Sequence, residues 1–138
     1  MIRQIQSLPV RMDRAGSGRF GAPRGKRAHQ GVDFGCTPGA PVLSPVAGYV
    51  ENHGYAYATD SKWRIVNIRG RDNYRYRLFY VEPIVEPGDL VTPTSPVGLA
   101  MDITRKYPNS GMLPHIHYQI EDEHGGIVNP EALGNGLA

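Results

Sequence analysis

The chain has 138 residues and a net charge of +2, so it suits one domain around a single core. Seventeen glycines and twelve prolines, with Val, Ile, Tyr and Thr in short runs between turn residues, favour an all-β domain with long loops over a helical one. The single cysteine, Cys36, excludes an internal disulfide.

Met1 to Ala28 holds seven basic side chains (Arg3, Arg11, Arg14, Arg19, Arg24, Lys26, Arg27) against Asp13 alone, and the remainder is net acidic. Residues 1–15 lack periodicity and are expected to form a basic N-terminal arm ahead of a domain over 16–138, although Ile2, Ile5, Leu8 and Val10 could pair it to a sheet edge. Such an arm suits an anionic partner, and equally a solvated segment that aids solubility. Its longest apolar run is Leu8-Pro9-Val10, short of the ~7–15 residues of a secretory signal and the ~20 of a membrane span. Release by lysis, delivery by an injection device, or export by a route this chain does not encode is the expectation that follows.

Gly16 to Gly35 reads as a loop that presents His29 and Asp33. Their spacing puts both on one side of a strand or helix, and Gly31 and Gly35 disfavour the helix. Gly31, at the midpoint, permits the chain to fold back between them. Cys36 is expected as a small buried hydrophobe rather than a thiolate ligand.

Two short strands, 41–44 and 48–51, flank a turn at Pro45, and a tyrosine-rich loop over 53–58 follows. His53 in that loop is expected at the surface. Strand 63–69 and strand 74–80 form a hairpin about Gly70-Arg71-Asp72-Asn73. Alternation places Tyr74, Tyr76, Leu78 and Tyr80 on one face and Arg75, Arg77 and Phe79 on the other. Basic residues among aromatics also suit a single-strand nucleic-acid platform, but one packed and one wet face explains them more simply. Glu86-Pro87-Gly88-Asp89 fits a type II turn, and strand 97–100 leads to a loop, Met101 to Leu113, long enough to be functional.

The last strand, Pro114 to Ile120, alternates His115, His117 and Gln119 on one face with Ile116, Tyr118 and Ile120 on the other. The two imidazoles stand roughly 6–7 Å apart along the strand, wide for two ligands of one metal, so one can ligate while its neighbour stands beside the open position. His29, Asp33 and one of these histidines make a three-ligand set of the nitrogen and oxygen donors zinc takes at roughly 2.0–2.2 Å, with a fourth position for water as in catalytic sites. Two neutral imidazoles and one carboxylate leave such an ion with net positive charge, able to acidify water and polarise a carbonyl. His124, in an acidic turn, is expected at the surface.

His29-Gln30-Gly31-Val32-Asp33 with the later His115-Ile116-His117 resembles the ligand pattern of the LytM/lysostaphin-type zinc endopeptidases, which cut peptide cross-links of bacterial cell walls. Phe20-Gly21-Ala22-Pro23-Arg24, Gly39-Ala40-Pro41-Val42, Ala47-Gly48-Tyr49-Val50, Gly88-Asp89-Leu90-Val91 and Val128-Asn129-Pro130 extend the resemblance from about Gly18 to Leu133. In detail the chain is most similar to the leukocyte cell-derived chemotaxin type of this fold, regarded as lacking peptidase activity, through His29 to Asp33 with Cys36, Phe79-Tyr80-Val81-Glu82-Pro83-Ile84, and Tyr107-Pro108.

The resemblance implies antiparallel sheets forming a groove, one zinc per chain on His29, Asp33 and His117, and His115 as catalytic neighbour. It implies groove walls from the tyrosine-rich loop, with Tyr55 and Tyr57, and from the long loop, with Tyr107; Gln119 shares the histidine face and is a further candidate. Active relatives carry Tyr-x-His-Leu where this chain reads Tyr80-Val81-Glu82-Pro83, so Glu82 takes the place of a catalytic histidine. A glutamate can serve as general base beside zinc, though it is a poorer donor to an oxyanion. Two expectations follow: a peptidoglycan endopeptidase acting as a lysin or with virion proteins, or a zinc-binding module of the same fold that has lost catalysis.

Overall fold

The computed structural model describes residues 9–24 and 27–130, and of Arg27 the backbone only. Its strands are β1 (Met12–Asp13), β2 (Gly16–Ser17), β3 (Pro23–Arg24), β4 (Arg27–Ala28), β5 (Val32–Gly35), β6 (Pro41–Leu43) and β7 (Gly48–Tyr57). They continue with β8 (Asp60–Gly70), β9 (Arg75–Phe79), β10 (Val81–Pro83), β11 (Leu90–Val91), β12 (Pro96–Ala100), β13 (His115–Glu121) and β14 (Ile127–Val128), plus a 3₁₀ turn at Ile103–Arg105. The expected all-β, antiparallel architecture is what forms.

The main sheet runs β11-β7-β8-β9-β13-β14, with β5 also paired to β13, and a second sheet runs β10-β12-β6. Val32, Val66, Ile68, Tyr76, Leu78, Ile116, Tyr118 and Ile120 are fully buried between them. Each alternates with a polar neighbour on its strand, so the period-2 pattern sets the core face. The turn at Glu86 to Asp89 closes as expected, with Gly88 at φ 95° and the Asp89 amide donating to the Glu86 carbonyl at 3.1 Å. Cys36 is buried in the core.

Three local expectations differ. The tyrosine-rich segment continues β7 as one ten-residue strand, because His53, Gly54 and Tyr55 pair with Val66, Ile65 and Arg64 of β8. The segment before Gly16 is part of the domain where it is described: the Arg11 amide donates to the Asp33 carbonyl at 2.7 Å, the Gly18 amide donates to the Arg11 carbonyl at 2.7 Å, and Val10 bridges Phe34. The edge pairing proposed for Ile2, Ile5 and Leu8 lies outside the described residues. Tyr80 leaves the packed face it was assigned. At φ 68° it forms the corner where the chain passes from the main sheet into the second, its amide donating to the Arg64 carbonyl at 2.8 Å and its carbonyl accepting from Met101 at 2.9 Å.

Candidate metal centre and its cleft

Strand pairing brings the candidate ligands together. Asp33 of β5 lies directly across from His117 of β13, and the short β3–β4 hairpin hands the chain to His29. The Gly21 amide donates to the His29 carbonyl at 2.8 Å and the His29 amide to the Ala22 carbonyl at 2.8 Å, fixing that backbone. Gly31 is required by space: a Cβ there would lie 2.8 Å from the His117 ring and would strike the Tyr118 carbonyl.

His29 Nε2 and His117 Nδ1 are 3.0 Å apart, His117 Nδ1 and Asp33 Oδ1 2.9 Å, and His29 Nε2 and Asp33 Oδ1 3.2 Å. The opposite ring nitrogens are committed elsewhere. His29 Nδ1–H donates to the Arg19 carbonyl at 3.0 Å, an acceptor only. His117 Nε2–H donates to Gln119 Oε1 at 3.0 Å, and the Gln119 amide group points to Glu121. With both ring protons turned away, three lone-pair donors converge.

Such a cluster is repulsive without a cation among them. Bonds of about 2.0–2.1 Å in a tetrahedral site separate ligand atoms by roughly 3.3 Å, and the observed triangle is slightly tighter. The donor set therefore fits a divalent ion of the zinc type; among the described residues it is the group of His, Cys, Asp and Glu side chains able to do so.

Asp33 Oδ2 accepts from Arg11 Nε at 3.3 Å and Nη2 at 3.2 Å and from Arg24 Nη2 at 3.3 Å. Arg11 is 3% exposed and also donates through Nη1 to Asp13 at 2.7 Å and to the Gly16 carbonyl at 3.2 Å. Burial pushes the Asp33 carboxyl up, but its contacts with His117 and His29 outweigh this and hold it far below the usual carboxylate range. Sequence reasoning missed Arg11, which sits in a stretch without periodicity.

His115 is buried beside the triangle. Its Nδ1–H donates to the Leu113 carbonyl at 2.8 Å and its Nε2 stands 3.7 Å from Asp33 Oδ2. Burial holds its pKa below the ordinary imidazole value, favouring the neutral ring.

A cleft of about 400 Å³ opens over these groups, lined by Arg11, Arg24, His29, Asp33, Phe79, Tyr80, His115 and His117 on the floor side and by Ala56, Tyr57, Ile103, Tyr107 and Met112 on the walls. Tyr57 and Tyr107 thus stand where the groove was expected. Three other residues do not. A register irregularity between Tyr55 and Tyr57 turns Tyr55 outward, 57% exposed beneath the Arg64 guanidinium. Gln119 is buried behind His117, where it orients that ring. Glu82 is exposed on β10 between buried Val81 and half-buried Pro83, and pairs with Leu99, itself exposed. Val81 is buried in the core, Glu82 is not among the residues that line the cleft, and Tyr80, at φ 68°, is.

The sequence profile described as Peptidase family M23 matches residues 27–130. Bovine leukocyte cell-derived chemotaxin-2 is 29% identical over 108 residues, covering 78% of this chain and 69% of that protein. Among solved structures, the antimicrobial peptidase lysostaphin from Staphylococcus simulans superposes with TM-score 0.67 at 19% identity, covering 88% of this chain. A zinc-containing peptidase from Vibrio cholerae superposes with TM-score 0.60 at 24% identity, covering 94% of this chain. The chain spans about half of the first structure (49%) and 36% of the second. These two likenesses establish the fold.

Proposed function

The chain belongs to peptidase family M23, and from that premise we propose that it is a zinc endopeptidase cutting peptide cross-links of bacterial peptidoglycan. The observation that carries this reading is the convergence of His29 Nε2, Asp33 Oδ1 and His117 Nδ1 within 3.2 Å at the floor of a cleft. Zinc held there supplies the positive charge that acidifies water and polarises a peptide carbonyl.

The chain's own residues supply the rest. His115, with Nδ1 committed to Leu113, offers a free Nε2 towards the cleft as proton acceptor. The cleft walls, with Tyr57 and Tyr107, are where an extended peptide would lie. A lytic role at the cell wall, after host lysis or as part of a virion, is part of this proposal.

One observation favours a second reading. Glu82, at the place of a catalytic histidine in active relatives, is exposed on β10 and does not line the cleft, which suits a zinc-binding module without peptidase activity. Zymography on purified cell wall separates the two: clearing by the zinc-loaded protein, abolished by chelation and restored by zinc, supports the peptidase, and an inert loaded protein supports the module.

A further inference from the structure

The cleft carries a cluster that neither reading uses. Tyr57 Oη lies 2.6 Å from Tyr107 Oη and 3.3 Å from Tyr80 Oη. Three hydroxyls bring three protons, and two hydrogen bonds among them consume two. Among the described residues no acceptor takes the third, so one O–H remains available to whatever enters the cleft.

Its place depends on the direction of the chain of bonds. If Tyr80 donates first, the free proton ends on Tyr107, which is 37% exposed and can give it to water. If Tyr107 donates to Tyr57 and Tyr57 to Tyr80, it ends on Tyr80, inside the cleft and with its ring edge-on to His115 at 5.9 Å between centroids. An oxygen acceptor beside His115 selects the second arrangement.

Resting on the peptidase reading, we propose that Tyr80 is a catalytic residue, the donor to the scissile carbonyl oxygen as charge develops on it, with Tyr57 and Tyr107 relaying behind it. The backbone supports the assignment. Tyr80 is a non-glycine residue at φ 68°, a conformation that costs energy and is retained where the surroundings impose it, and it aims the ring into the cleft where strand alternation would have buried it. Burial pushes the Tyr80 phenol up to about 12, so it keeps its proton across the neutral range.

The test uses the zinc-loaded protein with Tyr80→Phe and Tyr57→Phe, and two readouts: the rate of cell-wall solubilisation, and the affinity for inorganic phosphate, a tetrahedral oxyanion, by calorimetry. Tyr80→Phe should keep its zinc, lose about 10²–10³ in rate and bind phosphate about tenfold more weakly. Tyr57→Phe, which leaves the Tyr80 proton but removes its relay, should lose less in both. A native protein inert on cell wall would defeat the peptidase reading alone, because phosphate affinity still decides the donor. Unchanged phosphate affinity in Tyr80→Phe, or in Tyr57→Phe should the first variant fail to fold, overturns the proposal.

Discussion

Asp33 divides its two oxygens between different partners: Oδ1 joins the imidazoles while Oδ2 is held by Arg11 and Arg24. Arg11 is nearly inaccessible to water, and removing it would take from Asp13 its buried ion pair and leave Asp33 Oδ2 with Arg24 alone. Arg11→Met should therefore destabilise the fold by about 3–5 kcal/mol, the range for breaking a buried ion pair, and weaken metal binding about 10–100-fold, as for other partners that orient a ligand. Denaturant melts and metal competition measure the two effects, and Arg11→Lys should recover little because it lacks the fork that reaches both carboxylates. A second residue-scale prediction contrasts two positions. His115→Ala should keep its zinc and lose hydrolysis, whereas Glu82→Gln, on the outer face of β10, should cut and bind metal as the native protein does. A large loss of activity in Glu82→Gln would show that β10 turns its other face to the substrate.

At the scale of elements, β5 and β13 build the centre by pairing Asp33 with His117, and Gly31 lets the preceding turn close over the His117 ring. Gly31→Ala should push the His117 ring and the β13 backbone at Tyr118 away from the turn, and the expected result is metal affinity reduced by about tenfold or more with a lowered melting temperature. The ligand strand was legible in the sequence because Ile116, Tyr118 and Ile120 alternate with the histidines, and alternation is a local property. The fate of Glu82 was not legible, because the chain changes sheet at Tyr80 and the αL backbone there inverts which side chain enters the cleft. Tyr55 was lost for the same kind of reason, a register irregularity that periodicity does not report. Arg11 was hidden because its role is set by a backbone hydrogen bond and side-chain contacts to Asp33, twenty-two residues away.

Across the whole molecule, the wet face of the main sheet carries a charge network of Glu51 with Arg69 and Arg75, and of Glu121 with Arg75 and Arg77. The same arginines that could suggest a nucleic-acid platform are thus engaged with carboxylates. Burial pushes the Glu51 carboxyl up, but hydrogen bonds from Arg69 and Arg75 outweigh it and leave its pKa below the ordinary value. A lowered folded-state value means stability that is present above the unfolded glutamate pKa of about 4.3 and is lost as the pH falls through the folded one. Each partly exposed pair contributes about 0.2–1 kcal/mol. Glu51→Gln should accordingly flatten the acid limb of the stability curve below about pH 5, with little effect on the cleft.

Both functional readings stand on one metal site, so elemental analysis of the purified protein tests the account most directly. It should give about one zinc per chain, with the melting temperature falling on chelation because the ion binds only the folded state, and Asp33→Ala and His117→Ala should each lose the metal. Absence of stoichiometric zinc from the native protein, or a full complement in Asp33→Ala, would contradict it.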